Sequence, residues 1–178
     1  MTAMTTDTEY DTSAPAPSAA LAGASVVTRA SEWEARPLPQ VGEFPPLIAL
    51  LGAHGGAGTS TLERLWAPAV DTHRLWPANP ATTQRVFVVA REHMAGIAAA
   101  AEMLRAAEAR RVPEGVRVCG LVTVAAHPGR THRDVARYTS TVAELAPHTY
   151  RIPWLGELIP LLHKQLPQWR PADGAKFT

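Results

Sequence analysis

Apolar residues in this chain gather into short unbroken runs, separated by longer stretches where they recur every three or four positions. Leu47-Ile48-Ala49-Leu50-Leu51, Val86-Phe87-Val88-Val89-Ala90 and the segment Val116 to Ala125 are the clearest runs. A short strand that is apolar on both faces must be covered on both faces, as the central strands of a parallel sheet are. Between the runs the period changes. Ser60 to Trp66 reads as a helix that stops before Pro68. Met94, Ile97, Ala101 and Leu104 place Glu92 to Arg111 in an amphipathic helix closed by Pro113-Glu114-Gly115. Val135, Tyr138, Val142 and Leu145 mark another helix from about Arg133 to Ala146. Thr149 to Pro153 reads as a last strand. Strands alternating with helices predict an α/β fold, three layers deep around a parallel sheet. Asp71 to Thr83, with Pro77 and Pro80 and no clear period, reads as a loop.

The ends of the chain carry no such pattern. Residues 1–43 are rich in Thr, Ser, Ala and Pro and offer little apolar surface to offset the entropy of ordering, so they read as a disordered tail in which Trp33 is the one large aromatic. The folded domain is expected over residues 44–168, with a C-terminal tail at 169–178. The apolar stretch Ala19 to Val27 follows Asp7, Glu9 and Asp11 with no basic residue before it, which argues against a secretory signal. No run approaches the length of a membrane span. With 178 residues, 17 basic and 16 acidic side chains and a formal net charge of +1, nothing electrostatic points to nucleic acid or a membrane surface. The single cysteine, Cys119, sits in an apolar run and reads as a buried thiol; the expected compartment is the cytoplasm.

The chemistry concentrates in one place. The run at Leu47 leads directly into His54-Gly55-Gly56-Ala57-Gly58-Thr59-Ser60, and a helix follows. Strand, glycine turn and helix start, in that order, build a nest of backbone N–H groups that can surround phosphate oxygens. Candidate phosphate-binding residues are therefore His54, Gly55, Gly56, Ala57, Gly58, Thr59, Ser60 and Thr61. Against the usual phosphate loop, G-x-x-x-x-G-K-[ST], the first glycine is Ala53 and the lysine is Thr59.

The turn resembles the variant loop K-G-G-x-G-K-[ST] of the partitioning and division-site-placement ATPases, the ParA and MinD families. Gly55, Gly56, Gly58 and Ser60 match; His54 and Thr59 replace the two lysines. The resemblance extends in order through Val86 to Arg91, through Val118 to Val124, and to Ile152-Pro153-Trp154, so roughly residues 46–154 look like a truncated, degenerate P-loop NTPase-like sheet, comparable to small bacterial P-loop-like proteins. It implies ATP or GTP with magnesium as the ligand. Of the family's roles only magnesium binding carries over, to Ser60, and the loop after the third strand would approach the base, making His127 and Arg130 base-contact candidates. No counterpart to the family's aspartate-bearing strand is evident, since Ala67-Pro68-Ala69-Val70 is a poor strand leading to Asp71.

The functional expectation is a protein that binds a nucleotide or phosphate without efficient hydrolysis, in a regulatory or accessory role. No catalytic residue is assigned, and any activity would be that of a weak ATPase or GTPase. A non-catalytic interaction protein that keeps the fold but has lost the ligand is the alternative, with an unknown protein partner. A third reading takes Gly52, Gly55 and Gly58 as a G-x-x-G-x-x-G series with Asp71 nineteen residues beyond the first, the arrangement of a dinucleotide-binding oxidoreductase, although the tight G-x-G is missing. His127 and His132 lack the further ligands a zinc site needs. Arg91 and Glu92 also follow a strand and could face the same crevice, but read first as a satisfied surface pair. Leu158, Leu161, Leu162 and Leu166, with Trp154 and Trp169, read as core cover or as a partner surface.

Overall fold

The computed structural model describes residues 35–38, 46–79, 81–161 and 163–168. The expectations for Trp33, for most of the N-terminal tail and for the C-terminal tail with Trp169 lie outside the described residues.

The three apolar runs become β2 (Ile48–Gly52), β5 (Gln84–Arg91) and β6 (Val116–Val124). They are adjacent and parallel. β3 (Ala69–Asp71) and β7 (Thr149–Ile152) complete a parallel five-stranded sheet in the order β3-β2-β5-β6-β7. α1 (Thr59–Leu65), α2 (Met94–Glu108) and α3 (Arg133–Ala143) follow β2, β5 and β6. α2 and α3 bury Ile97, Ala100, Ala101, Leu104 and Val142 against Val88, Ala90 and Leu121. The opposite face of the sheet, carrying Leu50, Val89 and Val122, is covered by Leu62 of α1. This alternation of neighbouring side chains to opposite faces is why the strands are apolar throughout. Two short 3₁₀ segments, Gly156–Leu158 and His163–Gln168, end the described chain, and the second packs on α1 with Leu166 buried. Among the described residues, no helix is long and apolar enough to cross a membrane.

The sheet winds in two directions from β2. The chain goes through α1 to β3 on one side, then returns to β5 on the other and continues to β6 and β7. The crevice between β2 and β5, at their carboxyl ends, is therefore the topological switch point, the place where open α/β sheets bind ligands.

Three sequence expectations need correction. Asp71 to Thr83 is not simply a loop. Asp71 ends β3, and β4 (Trp76–Pro77) pairs in parallel with β1 (Ala35–Arg36), two residues expected in the tail. Trp76 is 2 % exposed and packs with Ala49, Leu51 and Val86. Helix α2 begins two residues later than expected, because His93 caps it and Glu92 turns inward. Cys119 is only half-buried: the pairing of β5 with β6 shifts past it, from Val86↔Val118 to Phe87↔Gly120, so it bulges from the ladder and its thiol lies 3.6 Å from the Arg117 carbonyl.

Candidate functional site

The glycine turn sits at the switch point. Gly56 and Gly58 adopt φ of 77° and 106°, left-handed backbone that L side chains rarely enter. No hydrogen bond among the described residues uses the N–H groups of residues 55–60, whereas Thr61 and Leu62 donate to the Gly58 carbonyl and start the helix. Gly55, Gly56 and Ser60 are exposed, and Ala57 and Thr59 are buried. Among the described residues, the turn thus holds a row of unused backbone donors at the carboxyl ends of β2 and β5.

His54 fastens the turn rather than reaching outward. Its Nδ1–H donates to the Gly55 carbonyl at 2.8 Å, and its Nε2 accepts the Arg91 N–H at 3.1 Å. These roles require a neutral ring with the proton on Nδ1. His93 lies beside it, ring centroids 4.8 Å apart, and its Nδ1 caps α2 by accepting the Gly96 N–H at 3.0 Å. Gly96 is required by close approach, since a Cβ there would meet the Arg91 carbonyl and the His54 ring at 2.7 Å.

Burial first, then repulsion from His54 whenever that ring takes up a proton, and from Arg91, hold His93 below its ordinary pKa of 6.5. The folded state therefore binds fewer protons than the unfolded state as pH falls below that value, so the contribution of His93 to stability is complete above it and declines beneath it. The melting temperature is expected to drop as pH is lowered through the imidazole range. His93→Asn keeps a capping acceptor and should flatten that dependence; an identical pH profile in the variant would contradict the assignment.

Thr59, which stands where the resembled loops have their second lysine, turns its hydroxyl to Asp71. The Thr59 hydroxyl donates to Asp71 Oδ2 at 2.9 Å, and the His73 N–H donates to Oδ1 at 2.9 Å. The Asp71 N–H in turn donates to Glu63 of α1 at 3.1 Å. Asp71 is 4 % exposed, with both oxygens engaged. Buried and bonded in this way, Asp71 is held against α1 and the chain after β3. The same engagement bears on magnesium. Ser60 is exposed, the one carboxylate on the neighbouring strand is occupied, and among the described residues no three His, Cys, Asp or Glu side chains converge.

Beside Gly58 lies a cavity of about 200 Å³. Leu62 and Leu65 of α1, Val124, Ile152 and Trp154 give it apolar walls, Thr61 contributes a hydroxyl, and Arg91 enters from the end of β5. Leu158 closes part of it, so one of the C-terminal leucines serves as cover. His127 and Arg130 are exposed in the loop after β6 and are not among the lining residues; the His127 ring turns to the Pro128 carbonyl at 2.8 Å.

Residues 47–158 match a family of unknown function (DUF6668). The chain belongs to that family. No curated protein and no solved structure matches it. The span that defines membership in DUF6668 holds all five strands of the large sheet, the glycine turn and every cavity-lining residue except Ile159, and leaves out β1.

Within that span the structure adds a feature that the sequence reading missed. Glu92 does not pair with Arg91. It turns to the other side of β5 and accepts from Arg151 at 2.7 and 2.8 Å, from Thr123 at 3.1 Å and from Thr131 at 2.7 Å. Burial acts to raise its pKa, but the Arg151 bonds and charge, with the two threonine bonds, outweigh burial and hold the carboxyl below its ordinary value. Glu92 thereby ties together the ends of β5, β6 and β7 and the loop after β6. A lone buried acid at a strand end is the only trace of this in the sequence.

Proposed function

We propose that this chain binds a phosphate-bearing ligand, best a nucleotide, at the turn of residues 55–60, and does not hydrolyse it efficiently. The observation that carries the reading is the row of backbone N–H groups that find no acceptor among the described residues, shaped by left-handed glycines at the switch point of the sheet. Oriented amides of this kind favour anions without any side-chain charge. The adjoining cavity supports a nucleotide over bare phosphate, because its apolar walls suit a base or sugar. The ParA/MinD-like, degenerate P-loop ancestry suggested by the turn is consistent with this reading. Weak or absent hydrolysis follows from the chemistry at hand. Neither His54 nor Thr59 offers a cation to the turn, and Asp71 is held by Thr59 and His73. Rate acceleration in such sites depends on groups that stabilise developing charge.

Amide chemical shifts provide the test. Titrating ATP, GTP or inorganic phosphate into labelled protein should move the resonances of residues 55–60 first, and nucleotides should also move Val124 and the Trp154 indole. Unmoved turn amides at millimolar ligand would overturn the reading and favour an interaction protein that retains only the fold.

A further inference from the structure

Resting on that reading, we infer that Arg91 supplies the positive charge that the turn lacks, contacting the phosphates of a nucleoside triphosphate whose remaining part occupies the neighbouring cavity.

Four observations place it there. Arg91 ends β5, across the switch point from the glycine turn, and its backbone N–H is bonded to His54 within that turn. Its side chain and Gly58 line the same cavity. Its Nε is buried and finds no hydrogen-bond partner among the described residues. The acid next to it in sequence cannot neutralise it, because Glu92 is committed to Arg151. Buried polar atoms in folded proteins have partners as a rule, and an exception calls for a ligand or another specific reason. A planar guanidinium, always charged, is also the side chain best shaped to grip phosphate oxygens. A cation at a strand end opposite the turn can thus replace one within the turn.

Calorimetric titration of ATP into the intact chain tests this. Arg91→Gln is expected to weaken ATP binding by about 10- to 150-fold, the range for one charge-assisted hydrogen bond. Arg91→Lys should recover part of the loss. Arg85→Gln, at the exposed opposite end of the same strand, should leave affinity unchanged. The melting temperature of Arg91→Gln without ATP should hold, since among the described residues the Arg91 Nε makes no hydrogen bond to lose. A large fall there that Arg91→Lys repairs without restoring affinity would show a structural role and overturn the inference. Wild-type affinity in Arg91→Gln would overturn it alone, leaving the proposed function standing. No ATP binding by the wild type would remove both.

Discussion

Trp76→Ala is expected to destabilise the protein by about 3–5 kcal/mol, the usual cost of truncating a buried large aromatic. Trp76 is 2 % exposed and fills the space beside Ala49, Leu51 and Val86, on the sheet face away from α1. Three of the sheet's fully buried residues would lose contact area together, and the strand pair β1–β4 would lose its anchor. The midpoint of urea unfolding should fall while the slope is retained, the sign of lost stability without a changed unfolding reaction. Trp154→Ala, which removes a half-buried cavity wall, should cost much less. A loss below about 1 kcal/mol for Trp76→Ala would return the segment to the status of a surface loop.

The second large effect is expected at the carboxylate that follows β5. Arg151→Ala leaves the Glu92 side chain, 4 % exposed, with two threonine hydroxyls and no cation. Breaking a fully buried pair costs about 3–5 kcal/mol. Arg151 is 45 % exposed, so water already screens the pair, and about 2–3 kcal/mol is the better expectation. Glu92→Gln should cost less, because Arg151 can then turn to solvent. The pH dependence fixes the mechanism. The pairing keeps Glu92 ionised below the ordinary carboxylate range, so its stabilisation is present at neutral pH and is lost as pH falls through that lowered pKa. The stability gap between wild type and Arg151→Ala should therefore narrow as the solution is acidified. A constant gap from neutral to acid would mean that Arg151 acts by packing alone.

The sequence by itself determined the frame. The runs at Leu47, Val86 and Val118 are apolar on both faces, and such strands have nowhere to go but the middle of a covered sheet. The three- and four-residue spacing of Ile97, Ala101 and Leu104 settled α2. The glycine turn was legible too, because its strand-turn-helix context is local. The surroundings of the turn were not. β3 is three residues long and follows Pro68, too short for any period to register, so only its pairing with β2 makes it a strand and buries Asp71. Trp76 sits among prolines and polar residues, and its burial depends on the sheet face that folding brings over it. The bonds that define the site join residues far apart in the chain: His54 with Arg91, Thr59 with Asp71, Glu92 with Arg151. Side chains at strand ends can point to either face, and neighbours in sequence such as Arg91 and Glu92 point to opposite ones. Periodicity reports which positions avoid water. Which polar groups meet is decided by strand order, and that is a property of the tertiary structure alone.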